Sequence, residues 1–271
     1  MIGHRDSRDV KKAGKRTDTR PFRIIYEDQH LLVVDKSAGI LTVPIPGKSS
    51  RNLKDLLDEF LTSKKCRALT VHRIDRYTTG LVVFAKTERA RDHLVAQFKA
   101  RTPERVYLAV ARGSLPDEGT LRHKLMLGKA GFRQFAVRSG GADAVTHYRV
   151  IERLPGVSVL EVRLETGLKN QIRVQFMEAG HPLAGDRHYE RAEGEEKYLD
   201  RQALHSWKLS FIHPASGKKI TAEAPLPKDI SGMLEKLRTR ALKGESGGPP
   251  EQREERPEKS GKRGRNSRGR E

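Results

Sequence analysis

The sequence predicts an α+β fold: a mixed, largely antiparallel sheet core with flanking helices. Two observations carry this. Short β-rich runs outnumber helical ones, and they do not alternate regularly with helices as βαβ units would. Neither GxGxxG nor GxxxxGK[ST] occurs, so the nucleotide-cofactor folds lose their main signal.

Leu31 to Val34 and Leu81 to Phe84 are short apolar runs that read as buried strands. Val106 to Val110, Val145 to Ile151, Val157 to Leu164 and Leu204 to Ile212 read as longer ones. Leu53, Leu56, Leu57, Phe60 and Leu61 follow the i, i+3, i+4, i+7, i+8 period behind a Ser50 cap. Thr87 caps a second predicted helix running through Phe98, Gln171 to Ala179 form a third and Ile230 to Leu237 a last. No internal repeat is visible.

The 271 residues suffice for one large or two small domains. Hydrophobic residues make up only 35% and charged residues 33%, which points to unfolded segments outside a core. Residues 1–21 are polar, basic and without hydrophobic period, and residues 241–271 are rich in Gly, Pro, Arg, Lys and Glu. Both are expected to be disordered, leaving a single folded domain over residues 22–240. Lys262 to Arg270 resembles the Arg/Gly segments that track RNA backbones, and reads equally as a solubilising tail.

Lys and Arg number 54 against 35 Asp and Glu, a formal charge of +19. The two ends account for +4 and +3 of it, leaving +12 in the body. A folded body with that excess points to nucleic acid rather than a neutral metabolite. No strongly amphipathic basic helix suggests a membrane surface. The single cysteine, Cys66, excludes an internal disulfide and a thiolate metal cluster, and fits a reducing compartment. Met1 to Arg20 contains no apolar signal region, its Asp6, Asp9 and Asp18 argue against an organelle transit peptide, and Leu81 to Ala85 is too short to span a bilayer. A cytoplasmic protein is expected.

Two clusters could carry chemistry. Val71 to Gly80 precedes a strongly apolar strand, as a catalytic loop held on a rigid element would. Within it Asp75 lies near Arg73 and Arg76, whose charges would keep a carboxylate nucleophile ionised. The same residues also fit a surface loop of solvated charges. In the second cluster, Thr166 to Arg173 followed by Gly180 to Asp186, a strand ends at a glycine and a helix begins. Free backbone donors there favour an anion, with Arg173 inside the first turn. A helix-start salt bridge is the competing reading. His72, His181, Asp186 and His188 have no metal-ligand spacing, so no metal is expected.

His72-Arg73-Ile74-Asp75-Arg76 with Thr79-Gly80-Leu81 and Phe84-Ala85-Lys86-Thr87 resembles the HRLDRxTSGLLLFAKT signature of the RluA-type pseudouridine synthases. Further blocks agree in order. Leu32 to Lys36 with Ala38-Gly39 resembles VVDKPAG, and Arg105 to Ala109 resembles KxYLA. Thr166-Gly167 with Gln171-Ile172-Arg173, Gly180 to Leu183 and Gly185-Asp186 resemble TGRxHQIRxH…GHPIxGD. Ala203 to Ser206 with Phe211 to Pro214 resemble LHA…FxHP. The resemblance covers roughly residues 22–228. The 21 polar residues ahead of it are too few for the small accessory RNA-binding domain that some relatives carry.

What the resemblance implies is the pseudouridine synthase catalytic fold and an isomerase of uridine in rRNA or tRNA, without cofactor or metal, with no protein partner implied and expected to be monomeric. By position, Asp75 becomes the nucleophile or acid–base carboxylate and Arg173 its buried ion-pair partner. Tyr107 would stack on the target base, and Arg73 would enter the space left by the flipped uridine. Arg76, Lys169 and Asn170 are expected to contact RNA. Leu168 and Asn170 stand where the family has Arg and His, Ser37 replaces a frequent Pro, and Tyr77 and Thr79 also depart from the common pattern. These departures motivate one rival, a catalytically silent RNA-binding protein on the same scaffold. A metal-dependent phosphodiesterase is the other.

Overall fold

The computed structural model describes residues 20–47, 50–128, 131, 133–189 and 199–244. Both predicted tails lie almost wholly outside these residues.

In chain order the elements are β1 (Phe22–Glu27), β2 (Leu31–Lys36), α1 (Leu53–Leu61), a 3-10 turn (Thr62–Lys64), β3 (Leu69–Thr70), β4 (Thr79–Ala85), α2 (Glu88–Lys99), β5 (Glu104–Arg112), β6 (Glu118–Leu127), β7 (Gln134–Val137), β8 (Ala142–Leu154), β9 (Val157–Leu164), α3 (Gln171–Glu178), β10 (Leu204–Ile212), β11 (Lys219–Glu223) and α4 (Lys228–Leu242). Every predicted element is present. The first helix is capped by Asn52, not Ser50: its side-chain oxygen accepts from Asp55 N–H at 3.2 Å, and its amide donates back to the Ser50 carbonyl. Thr87 caps α2 as expected. The last helix exceeds its predicted span at both ends and reaches two residues into the segment assigned to the C-terminal tail.

The described strands form one sheet in the order β1-β2-β4-β10-β5-β9-β8-β6-β7, with β3 paired to β4 and β11 to β10. All pairings are antiparallel except β4 with β10, a parallel seam of two residue pairs. One register row, Phe22–Lys36–Gly80–Ser206–Tyr107–Val162–Tyr148–Gly119, crosses eight strands. Paired residues share a side of the sheet, so this row defines one face. On that face α1 packs Leu53, Leu56, Leu57 and Leu61 against Val34, Val82 and Phe84, and α3 packs Ile172 and Phe176 against Ala109, Leu160 and Val162. On the other face, α2 covers Val33 and Val83, and α4 covers Val110 and Val159. Burying each α1 leucine contributes about 1.5–3 kcal/mol.

The parallel seam demands a glycine. Gly80 has φ +106°, and a Cβ there would lie 2.2 Å from the Ser206 carbonyl oxygen. Gly80→Ala is therefore expected to cost more than about 3 kcal/mol, since strain of about 1–3 kcal/mol adds to a clash with backbone that cannot yield. Gly39→Ala is the control: φ is +87° but nothing lies within 4 Å of its Cβ position, so the loss should stay near 1–2 kcal/mol, about the strain alone. Equal losses in denaturant melts would show that the seam tolerates a side chain.

Candidate active site

The loop from Ile74 to Thr79 leaves the sheet at the parallel seam and is tied down residue by residue. Thr42 Oγ1 donates to the Ile74 carbonyl at 2.8 Å and accepts from its N–H at 3.3 Å. The Arg76 carbonyl accepts from Gly39 N–H at 2.9 Å and from Lys36 Nζ at 3.0 Å. The Tyr77 carbonyl accepts from Arg201 Nη1 at 3.1 Å, the Thr78 hydroxyl from Gln202 Nε2 at 3.2 Å, and Thr79 Oγ1 meets His205 Nδ1 at 2.9 Å. Arg201 is held in turn by Asp229 at the start of α4, through contacts of 2.7 and 2.9 Å.

Lys36 is wholly buried under this loop. It donates to the carbonyls of Ser37 and Ile40 as well as Arg76. Burial pulls its pKa down to about 7, against the opposing pull of the Asp75 carboxylate. Its three carbonyl acceptors match the three donors of an ammonium group.

Helix α3 presents Arg173 to the same place. The helix is buried on nearly every side. Gln171 donates to the Val145 carbonyl and Thr146 hydroxyl, and Gln175 to the carbonyls of Leu121 and Ala144. The Arg173 guanidinium makes its tight pair with Asp186, Nε to Oδ2 at 2.6 Å and Nη2 to Oδ1 at 2.7 Å. Its remaining nitrogen, Nη1, reaches Asp75 Oδ2 at 3.3 Å. Burial works against the charge, but the hydrogen bonds and charge of Asp186 and the charge of Asp75 raise the Arg173 pKa. Arg173 therefore does meet Asp75, as expected, yet its principal partner is Asp186, a residue that is 0% exposed. The positive charge beside Asp75 comes chiefly from Arg173, with Lys36, whose pKa of about 7 leaves it partly charged at neutral pH, adding to it. Arg76 turns its Nε to the Gly39 carbonyl at 2.8 Å, and both Arg73 and Arg76 are exposed.

Asp75, with 21% of its side chain exposed, borders a cleft of about 60 Å³. Arg73, Tyr107, Leu168, Asn170 and Arg173 also line it. Tyr107 enters from β5 on the register row defined above. Burial and the Asp75 charge push its phenol pKa up, against the nearby Arg105 charge, so it stays protonated at neutral pH. Asn170 closes another side in a left-handed conformation, φ +53°, at the start of α3. Its amide faces both oxygens of Asp75 at 3.1 Å. Carboxylate oxygens only accept, so the amide nitrogen is the atom turned to them. Lys169, also read as an RNA contact, donates to the Gly131 carbonyl at 2.7 Å, and Leu168 packs with Leu125, Val174 and Tyr189.

His72 and His205 are placed for structure. His72 stacks on Phe98 and accepts from Val83 N–H, and burial holds its pKa down at about 3. His205, buried beside Thr79, is pushed down to about 4. Among the described residues no group of three or more His, Cys, Asp or Glu side chains could hold a metal, and no helix is long and apolar enough to cross a membrane. Lys36, Asp186, Tyr189 and Arg201 were not singled out as site residues in the sequence. For Asp186 and Lys36 the signal was available in their places within the Gly185-Asp186 and Leu32 to Lys36 blocks; for Tyr189 and Arg201 there was none.

The family model for RNA pseudouridylate synthase matches residues 30–178, more than half of the chain. The ribosomal large subunit pseudouridine synthase D of Nitrosomonas europaea is 39% identical over 226 residues, 80% of this chain and 66% of that protein. The protein of the same name in Neisseria meningitidis serogroup A is 41% identical over 230 residues, 80% and 62%, so the chain spans just under two thirds of each. The corresponding Xanthomonas campestris protein is 40% identical, over 70% of its length. Among solved structures, human RNA pseudouridylate synthase domain containing 4 superposes with a TM-score of 0.67 at 22% identity, covering 79% of this chain and 92% of that one. The described sheet and helices thus follow the pseudouridine synthase α+β fold. With Asp75, Tyr107 and Arg173 brought to one cleft on that fold, and with relatives at about 40% identity, the chain belongs to the RNA pseudouridylate synthase family.

Proposed function

We propose that this protein isomerises uridine to pseudouridine in RNA, with large-subunit ribosomal RNA as the substrate class. The observation that carries the reading is the Asp75 carboxylate at the mouth of the cleft, in contact with Arg173 and with the Tyr107 ring lining the same space. The family and the ribosomal names of the relatives support the RNA and its class. The reaction breaks the bond from ribose C1′ to the base nitrogen and remakes it to a base carbon; the proton released from that carbon is balanced by one gained at the nitrogen. Nothing is oxidised, reduced or transferred to a second molecule.

A stacked base is out of reach of Asp75, so the uridine must flip into the cleft at a cost of a few kcal/mol. The Tyr107 ring would repay part of this by stacking, worth about 1–3 kcal/mol per base. Exposed Arg73 lines the cleft, where it can fill the gap left in the RNA, and Arg76, exposed next to Asp75 in sequence, can meet phosphate. Asp75 then acts at the sugar as nucleophile or acid–base group, with Arg173 holding it in place. The single cysteine and the ribosomal relatives support a cytoplasmic location. The silent-binder alternative is disfavoured because Leu168, Lys169 and Asn170 leave Asp75, Tyr107 and Arg173 in contact with the cleft.

Incubation of the purified protein with unmodified ribosomal RNA, read by mapping of pseudouridine, tests the activity. Asp75→Asn should reduce product to less than a few per cent of wild type with RNA affinity nearly intact, because charge and nucleophilicity go while shape stays. Substantial turnover by that variant would remove Asp75 from the chemistry.

Tyr107→Phe should bind RNA as wild type does, and Tyr107→Ala should bind more weakly by about 1–3 kcal/mol, the worth of one stacked base. Slow turnover in the Phe variant would add a proton-transfer role for the hydroxyl. Equal binding by the two variants would rule out stacking.

Arg173→Ala should cost about 3–5 kcal/mol, the usual consequence of stranding a buried charge. The stranded group is Asp186, since Asp75 is part-exposed and can be hydrated. Adding Asp186→Asn should recover much of that loss and adding Asp75→Asn little; the reverse pattern in thermal melts would reassign the pairing.

A further inference from the structure

Asn170 belongs to a relay that the proposed chemistry does not yet use. With its amide nitrogen on both Asp75 oxygens, its oxygen faces Tyr189 Oη at 3.1 Å and accepts the phenolic proton. Tyr189 Oη also accepts from the Gln134 N–H on β7 at 3.1 Å, and the Gln134 carbonyl, 3.2 Å away, is a second acceptor for its one proton. The Tyr189 side chain is fully buried, and its ring lies 4.9 Å from the Arg173 guanidinium and 4.7 Å from that of Arg133. A chain of donors thus runs from the backbone of the β6–β7 hairpin through Tyr189 and Asn170 to the carboxylate. Arg173 cannot orient Asp75 alone. Its bidentate face is committed to Asp186, and the one contact it spares for Asp75 is 3.3 Å long. The amide supplies the second point that fixes the plane of the carboxylate.

We propose that Asn170 is the positioning residue for Asp75, and that Tyr189 and the β7 backbone hold Asn170 to that task. This rests on Asp75 as the reacting carboxylate. It departs from the sequence expectation that Asn170 contacts RNA, and the two make opposite kinetic predictions.

The informative variant is Asn170→Gly, because glycine adopts the left-handed conformation without cost and removes only the amide. Single-turnover kinetics on ribosomal RNA should show the rate constant at saturating RNA falling about 10- to 100-fold, the scale of a misplaced reacting group, with half-saturation unchanged within about twofold. Asn170→Asp, equal in shape but carrying a like charge against Asp75, should fall further. Tyr189→Phe should lower the same rate constant, and the double variant with Asn170→Gly should be no slower than Asn170→Gly alone. An unchanged rate constant, or weakened half-saturation with full rate, would overturn the proposal, the latter in favour of an RNA contact. Additive losses in the double variant would overturn the relay. A crystal structure of Asn170→Gly is independent of turnover: Asp75 rotated off its position supports the proposal, and Asp75 unmoved refutes it. Wild-type protein that made no pseudouridine would instead sink the functional reading, leaving the positioning claim to be decided by that crystal structure.

Discussion

One guanidinium is shared between two carboxylates, and the geometry of the cleft follows from how it is divided. Asp186 is sealed from solvent and takes the bidentate face of Arg173, the arrangement in which a buried ion pair offsets its own desolvation. A planar guanidinium fixed on one side has its remaining donor fixed on the other, so the direction in which Nη1 points is decided by Asp186. Asp75 sits where that donor points. Two negative charges against one positive leave the group one charge short. Lys36 beneath the loop, fully charged only below its pKa of about 7, and the Asn170 amide beside Asp75 supply part of the missing positive potential.

That division requires helix and loop to be rigid, and both are. The loop carrying Asp75 spends its backbone carbonyls and hydroxyls on partners from four other parts of the chain: Thr42, Lys36, Gly39 and the segment from Arg201 to His205. Ordering those residues costs conformational entropy at folding, which on the proposed function leaves less to lose when RNA binds. The seam between β4 and β10 makes this possible. Gly80 lets the strand carrying the loop approach Ser206 closely, and the same register row brings Tyr107 in from the next strand. Distance in sequence between Asp75, Tyr107 and Arg173 is thereby turned into adjacency by backbone pairing.

The parts of the fold legible in the sequence were those whose burial writes a period. β9 and β10 coincide with their predicted limits because apolar and β-branched residues begin and stop sharply there, and α1 shows its leucine face. β6 and β7 escaped notice because nearly every side chain of β6 is at least partly exposed, so polar residues break the alternation. In the site, Asp75, Tyr107 and Arg173 were reached through short ordered blocks of residues, and all three line the cleft. The Arg173–Asp186 pairing was not, since 13 residues and a turn separate partners that only tertiary packing joins. Lys36 lies within the Leu32 to Lys36 block, but its burial depends on the carbonyls of Ser37, Ile40 and Arg76, which no local pattern reveals.

Residues 168–170 bear most directly on how RNA could be recognised. A strand ending at glycine before a helix is ordinarily an anion site, and an arginine at position 168 would point that way. Here the segment faces inward. Leu168 enters the cluster around Tyr189, Lys169 reaches the Gly131 carbonyl in the β6–β7 connection, and the backbone N–H of Leu168 is taken by Gln171 Oε1 at 3.0 Å. The helix start is used to fasten the hairpin to the cleft, which reduces its capacity to hold phosphate. On the proposed reading, grip on the RNA then falls to Arg73 at the cleft, to the exposed Arg76 and to the wider basic surface of a body carrying +12. On the same reading, Arg173 and Asn170 approach Asp75 from within the fold and fix its direction, while the exposed Arg73 beside it is left free to meet the RNA, so orientation and recognition draw on different residues.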